Sequence, residues 1–522
     1  MSELQNTSPP KNHAANRRTH GYYIALVVTI FFLGVFLRLN RYLFDRSLWH
    51  DEANFALNII ERTPVQLVGP LAYGQHSPVG FTLAVKYLTM AFGVREPILR
   101  LIPLVVSIVS LVLFYFVARR WLPPWATLLA MTIFATSDAL GEWAAQFEKY
   151  SSDVTLTLII LAVGLWVFES ERPVRFWVFG LLGVVAVWFS YPAAIVLAGI
   201  GLVLFFYAIE RRDKREALLI AAIACIWLAS FAITYVVATR ASVEGHLLNP
   251  SSAPYWNSKG GFLIFPPINL GQVDSDIMTL VEPFENPMGF ALYSGVVLLY
   301  WLGLIEALRK RSFSLFLLSP ILITVALSAL GLYPIFQRVV LFTVPLLLLT
   351  VMMGIVRLSQ ILSTRMERLM AIIFIGFIIF QPVRLGLAGG LRPDEREETL
   401  PLIAQLAADH LPGDEVMVYY GAEGAYRYYA YVKGLDQVTP SIIEDHRSSP
   451  EEYCQEMDSL NGKPRVWVIF SHVFGGKMGS EEEVILSCLD QLGVQIHKAS
   501  ETGASLYLYD LSTESRGSPP DD

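Results

Sequence analysis

Charge is scarce in this chain. Of 522 residues, 16% are charged against a hydrophobic share of 54%, and mean hydropathy is +0.48. Soluble domains carry about 25% charged residues, so an ordinary soluble protein is excluded and a polytopic membrane protein is implied. Cysteine is nearly absent: Cys225, Cys454 and Cys488 are the three in the chain, and no C-x-x-C or other metal-type spacing occurs. No basic face marks a nucleic-acid partner. The net charge of -7 says little by itself, because the acidic excess gathers after residue 392 while the basic residues cluster in short loops. No internal repeat is evident.

Apolar sequence is abundant. After a polar stretch, residues 1–20, that reads as a disordered tail, runs fall at 22–37, 98–118, 124–140, 154–169, 175–190, 193–209, 217–239, 288–308, 313–332, 335–356 and 367–388. They predict about eleven transmembrane helices, several a little short of the ~20 residues a span needs. No small-residue cleavage site follows the first run, so it reads as an uncleaved span. Pro78–Gly93 is also apolar, and counting it as a span would reverse everything after it. If it does not cross, the basic loops at Arg119-Arg120, Arg172–Arg175, Arg211–Arg215, Arg309-Lys310-Arg311 and Arg357–Arg368 all fall on the side of the N-terminus, which is then the cytoplasm. Pro78–Gly93 therefore reads as a juxtamembrane helix at the outer interface, with Lys86 and Tyr87 reaching toward the headgroups. Arg38, Arg41 and Arg46 run against this rule.

This topology gathers the unusual polar residues on the outer face. First among them is Ser47-Leu48-Trp49-His50-Asp51-Glu52-Ala53-Asn54, an acidic pair soon after the first span. Acids so near a bilayer are costly unless solvated, paired or used, although acids in a first helical turn also complement the helix dipole. The others are His76, the stretch Asp138–Asp153, Tyr191-Pro192, the loop 240–287 and Tyr333–Arg338. The long loop, with Tyr255, Trp256, Lys259, Gly260-Gly261 and Pro266-Pro267, either orders over a bound substrate or packs on the outer domain.

In this order the motifs resemble those of GT-C superfamily glycosyltransferases that use a polyprenyl-phosphate sugar donor, such as protein O-mannosyltransferases and the lipid A aminoarabinose transferase. Trp49-His50-Asp51-Glu52-Ala53 is similar to the acidic pair of the family's first outer loop. Gln75-His76-Ser77-Pro78-Val79 and Ala91-Phe92-Gly93 resemble the Pro turn and end of its juxtamembrane helix, and Arg100-Leu101-Ile102-Pro103 the opening of its second span. Glu148-Lys149-Tyr150 approximates an Arg-Pro-Tyr-like motif, from which Glu148-Lys149 departs, and Ser77 stands where a second Pro is common. Tyr333-Pro334-Ile335-Phe336-Gln337-Arg338, followed by Pro345, matches an aromatic-Pro…Arg…Pro pattern. The resemblance covers residues 20–390 and implies a GT-C-like transmembrane catalytic domain over 21–390, with outer loops 41–97 and 240–287.

That family moves a sugar from a lipid phosphate to an outer acceptor. A carboxylate within reach of an acceptor hydroxyl can take its proton, and Asp51 is the candidate base. Glu52, its neighbour on a helix, faces elsewhere and would orient the loop or contact sugar or acceptor. Arg338 suits the departing phosphate, against the alternative that it snorkels to the headgroups. Lys149 and Lys86 are further candidate phosphate contacts, with Tyr150 and Tyr333 beside them, and His76 either bonds the phosphate or the sugar or caps the helix start before Pro78. Glu148 and Asp153 either supply a second acidic contact or pair with Lys149. His50-Asp51-Glu52 could contribute to a divalent-cation site, although no metal-type cluster supports one.

After Arg392-Pro393-Asp394 the composition is that of a soluble domain. Leu400–Leu411, Gly424–Tyr431 and Glu482–Leu492 read as helices, and Glu415–Tyr420, Arg465–Phe470 and Ala504–Tyr509 as strands. They predict a C-terminal extracytoplasmic α/β domain over 391–510, followed by a disordered tail, 511–522. Gly421-Ala422-Glu423-Gly424 lacks the spacing of a phosphate-binding loop and reads as a strand-to-helix turn. Cys454 and Cys488 would share an oxidising space and could pair. The resemblance implies a bacterial inner membrane, an undecaprenyl-type donor and a lipid, glycan or protein acceptor. A transporter or flippase, or a non-catalytic scaffold with an outer α/β domain, are the competing classes.

Overall fold

The structure is a computed structural model that describes residues 11–240, 261–267, 269–309, 314–435, 437–476 and 479–512. It forms two compact units. One comprises residues 1–43, 77–84 and 100–393, the other 44–76, 85–99 and 394–522. The units do not follow the boundaries read from the sequence: most of the first loop, expected with the transmembrane domain, belongs with the C-terminal residues.

The first unit is helical. Among the described residues seven helices are long and apolar enough to cross a membrane: His20–Leu43, Glu96–Ala118, Tyr150–Glu169, Pro192–Glu210, Lys214–Ala238, Gln337–Ile361 and Arg365–Leu391. The runs at 124–140, 175–190 and 313–332 form shorter apolar helices, Pro124–Thr136, Val174–Phe189 and Leu315–Ala329, of 13, 16 and 15 residues. The run at 288–308 becomes Tyr293–Arg309, of 17 residues. Ser137 ends Pro124–Thr136 within its apolar run, and Ser190 ends Val174–Phe189 at the close of its run. Exposed Phe32, Phe36, Trp177, Leu181, Phe377 and Phe380 give the helices an apolar exterior, as a lipid environment requires. The chain is an integral membrane protein.

Helix packing in this unit depends on small residues. A Cβ on Gly303 would lie 1.9 Å from the Thr350 carbonyl oxygen, and one on Gly354 1.8 Å from that of Leu299, so Tyr293–Arg309 and Val344–Ile361 meet backbone to backbone. Arg38 and Arg41 are buried. Arg38 donates to Ser107 Oγ at 2.8 Å and to the Ala135 carbonyl at 2.9 Å. Arg41 pairs with Asp138, and with Glu142 at 2.9 Å. Internal contacts hold both guanidinium groups, which explains their departure from the loop-charge rule.

The first helix starts at Lys11, inside the stretch expected to be a tail; residues 1–10 lie outside the described residues. Residues 241–260, with Tyr255, Trp256, Lys259 and Gly260, also lie outside them. The remainder of that loop contains a helix, Leu270–Glu285, and the Gly261 carbonyl accepts from the Ile335 N–H at 2.7 Å.

In the second unit a five-stranded mixed sheet has the order β2-β1-β3-β7-β6, with β1 Glu415–Tyr419, β2 Ser441–Ile443, β3 Val466–Ser471, β6 Val494–Glu501 and β7 Ala504–Asp510, while the short strands β4 Gly475–Gly476 and β5 Gly479–Ser480 pair with each other. β1 runs parallel to β2 and β3, and β7 antiparallel to β3 and β6. β3 is buried throughout and β7 nearly so. β6 is an edge strand with mostly exposed side chains, and this weak apolar alternation hid it from the sequence reading. Helices Thr399–Asp409, Glu423–Lys433 and Glu481–Leu492 stand where helical patterns were read. Cys454 and Cys488 form a disulfide that ties helix Glu451–Met457 to Glu481–Leu492. Leu511, expected in the tail, is fully buried and its N–H donates to the Lys463 carbonyl at 2.9 Å; residues 513–522 lie outside the described residues.

Candidate active site

The acidic pair opens the helix His50–Glu61 in the second unit. Successive residues on a helix are turned by about 100° from each other, and the two acids differ accordingly. Glu52 is fully buried, while Asp51 is half-buried.

This helix start is held by residues distant in sequence. Trp49, its N-cap, makes no side-chain capping bond. Glu397 Oε2 instead accepts from the His50 N–H at 2.8 Å, satisfying an otherwise orphaned donor at the positive end of the dipole. Glu398 accepts from the Ser47 N–H at 3.1 Å and the Ser47 hydroxyl at 2.8 Å. The Leu48 N–H donates to the Tyr429 hydroxyl at 2.7 Å. His50 Nδ1 lies 2.9 Å from the Gly421 carbonyl oxygen. A Cβ on Gly424 would come within 2.2 Å of Asn54 Oδ1, so a larger residue there would displace the Asn54 side chain. Gly421-Ala422-Glu423-Gly424 is thus a strand-to-helix turn that packs against the acid-pair helix.

Gly421 and His472 follow the carboxyl ends of the parallel strands β1 and β3, where open α/β sheets ordinarily form their crevice. His472 Nδ1 lies 2.6 Å from Glu397 Oε1, and the rings of His472 and His50 stack with centroids 4.4 Å apart. Burial disfavours the charged imidazole, but the Glu397 bond and the Glu397 and Asp51 charges outweigh it, so its pKa is raised. Glu397 and His472 also line a polar cleft of about 520 Å³ with Arg396, Glu482, Lys498 and Tyr507.

The other candidates divide between the units. His76 is half-buried in the second unit, before the helix Val79–Phe92. Lys86, expected to reach headgroups or a phosphate, donates to the Ile59 carbonyl at 2.6 Å, near the end of the acid-pair helix.

Glu148, Lys149, Tyr150, Tyr333 and Arg338 belong to the first unit. Lys149 pairs with buried Glu148 at 3.1 Å, and its ammonium lies 4.7 Å from the Tyr150 ring centroid. The Arg338 guanidinium lies 5.7 Å from the Trp143 ring and 5.9 Å from the Tyr150 ring, and those two rings meet edge to face at 4.7 Å. Two cations thus share one aromatic wall. Tyr333 donates through its hydroxyl to the Val339 carbonyl at 2.8 Å, bracing the turn that carries Arg338. Asp153 is buried, and its Oδ1 has no hydrogen-bond partner among the described residues. This places an acid, two cations and an aromatic surface together.

Sequence reading missed Glu397, Glu398, His472 and the platform residue Trp143. Only the tertiary fold brings the first three to the acid pair, and no spacing rule reaches across that separation. Trp143 sits inside the flagged stretch Asp138–Asp153, but one aromatic in an apolar context carries no signal. Among the described residues no group of three or more His, Cys, Asp and Glu is arranged to hold a metal ion.

No protein-family model and no curated protein matches the chain in sequence. Solved structures match it in fold. ArnT from Cupriavidus metallidurans in the apo state has a TM-score of 0.51 at 12% identity, covering 97% of this chain and 100% of that one. The same protein bound to undecaprenyl phosphate has a TM-score of 0.50 at 12% identity, with 96% and 99% covered. The apo oligosaccharyltransferase from Archaeoglobus fulgidus has a TM-score of 0.54 at 11% identity, covering 94% of this chain and 74% of that chain. Likeness over nearly the full length at so low an identity is a likeness of fold: the chain shares a GT-C-like membrane fold with these structures.

Proposed function

We propose that this protein is a membrane glycosyltransferase that moves a sugar from a polyprenyl-phosphate donor to an extracytoplasmic acceptor. The observation that carries this reading is the half-buried Asp51 at a braced helix start, in a chain whose fold matches ArnT along its whole length. The crystal structure of that protein with undecaprenyl phosphate supports a lipid phosphate as the donor's carrier.

In the reaction the bond between the anomeric carbon and the phosphate oxygen breaks, and a bond from the acceptor oxygen to that carbon forms. The bonding electrons leave with the phosphate. Asp51 takes the acceptor hydroxyl proton as attack proceeds. Arg338, with Lys149 beside the same aromatic wall, meets the charge that grows on the phosphate, where a preorganised cation lowers the barrier. Glu52 keeps the helix in place, His76 contacts the phosphate or the sugar, and Glu148 holds Lys149 through their ion pair. The N-terminus lies in the cytoplasm of a bacterial inner membrane and the α/β unit outside.

The test is transfer or hydrolysis of radiolabelled sugar from a panel of polyprenyl-phosphate sugars by purified protein in native lipid. Wild type is expected to turn over at least one donor. Asp51→Asn is expected to bind that donor and lose turnover. Equal activity in the two would remove Asp51 from the chemistry. Inactivity of wild type across donors and acceptors would favour the transporter or scaffold class.

A further inference from the structure

The acid-pair helix has no local cap, and its first N–H is taken by Glu397. The second oxygen of that carboxylate faces His472 Nδ1, so one side chain joins the helix start to an imidazole at the end of β3. His472 adopts a φ of 52°, an uncommon conformation for a residue other than glycine. The surrounding contacts hold it there.

His50 completes the arrangement. A carbonyl only accepts, so the bond to Gly421 puts the proton of His50 on Nδ1, and Nε2, 3.1 Å from Asn54 Nδ2, accepts from that amide. This tautomer is assigned from the bonding pattern. The His50 ring lies 16° from parallel to the His472 ring. The Asp51 carboxylate acts electrostatically on His472. His472 therefore meets the acid-pair helix in two ways, through Glu397 and through the His50 ring.

We propose that Glu397 and His472 are positioning residues for the transfer reaction, fixing the start of the His50–Glu61 helix so that Asp51 is held in one orientation. The inference rests on the transferase reading above. A misplacement of about 1 Å in a reacting group costs on the order of a hundredfold in rate, and Glu397 is the group that holds the first helical N–H. Both residues also line the cleft, so whatever enters it meets the groups that hold Asp51.

The experiment compares full-length wild type, Glu397→Ala, Glu397→Gln and His472→Gln in native lipid, with two readouts. The first is amide hydrogen exchange over residues 50–53; the second is kcat and KM for the donor that wild type turns over. Glu397→Ala is expected to speed exchange at the helix start. It should lower kcat about tenfold or more with donor KM within about twofold, the pattern of a lost transition-state contribution. Glu397→Gln retains an acceptor oxygen for the His50 N–H but not the charge facing His472. It is expected to keep wild-type exchange and to share the fall in kcat with His472→Gln, which guards against a Glu397→Ala that fails to fold. Wild-type kcat and exchange in Glu397→Ala and His472→Gln would overturn the inference. If wild type turns over no donor, the transferase reading fails separately. Exchange in Glu397→Ala then decides alone: faster exchange supports the helix-fixing role, and unchanged exchange overturns it.

Discussion

His50 and His472 stack face to face with ring centroids 4.4 Å apart, joining the loop after the first span to the carboxyl edge of the C-terminal sheet. The acid pair is thereby part of the α/β unit's framework. The unit works as a clamp: Glu397, Glu398, Gly421 and Tyr429 each hold a backbone or ring atom of residues 47–50.

The stability contributed by His472 should depend on pH in a defined direction. Its folded-state pKa is raised above the ordinary 6.5 because the Glu397 and Asp51 interactions outweigh burial. A raised value means the folded state binds the proton more tightly, so the contribution is fully present below about 6.5 and is lost as pH rises through the folded value. Thermal unfolding of wild type and His472→Asn from acid to mildly alkaline pH should show their difference shrinking as pH rises. A constant difference would place the stabilisation in packing alone.

Arg338 should not tolerate lysine. Its planar guanidinium lies near the Trp143 and Tyr150 rings, whereas an ammonium is a point charge that cannot present a fork to a phosphate. In the donor assay Arg338→Lys is expected to lose about tenfold in kcat/KM and Arg338→Ala about a hundredfold or more. Comparable activity in the lysine variant would reduce the role of Arg338 to charge.

The Gly303 and Gly354 crossing should be intolerant of any side chain. Added Cβ atoms would sit 1.9 and 1.8 Å from backbone oxygens, which can retreat only by moving a helix. Overpacking of this kind costs about 1–3 kcal/mol or more. Gly354→Val should therefore unfold at a clearly lower temperature than wild type in the same lipid or detergent, with Gly303→Ala intermediate.

Breaking Cys454–Cys488 should weaken the second unit without touching either cluster of candidate residues. The bridge joins residues separated by 34 positions, and closing a loop of that size stabilises by about 3–4 kcal/mol. Limited proteolysis of Cys454→Ser and Cys488→Ser should give earlier cleavage after residue 394, and reduction of wild type should reproduce the effect.

Composition and periodicity by themselves determined that the chain is membrane-embedded, that a small α/β module follows Arg392-Pro393-Asp394, and that Asp51, Glu52 and Arg338 merit attention. Those signals are local: an apolar run is readable because the bilayer requires it, and an acid near such a run because burying its charge is costly. Helix Glu423–Lys433 and strands β1, β3 and β7 were legible for the same reason, since each carries its own pattern of buried residues. Edge strand β6 was not, because its side chains are exposed and no burial pattern marks them. What only the tertiary structure decided is which groups meet. Glu397 reaches the His50 N–H and His472 reaches the His50 ring because the sheet brings the ends of β1 and β3 beside a loop hundreds of residues earlier. Lys86 is taken by the Ile59 carbonyl because a helix end leaves carbonyls without partners. Pairings across such separations depend on the packed fold, and one sequence holds no periodicity that encodes them.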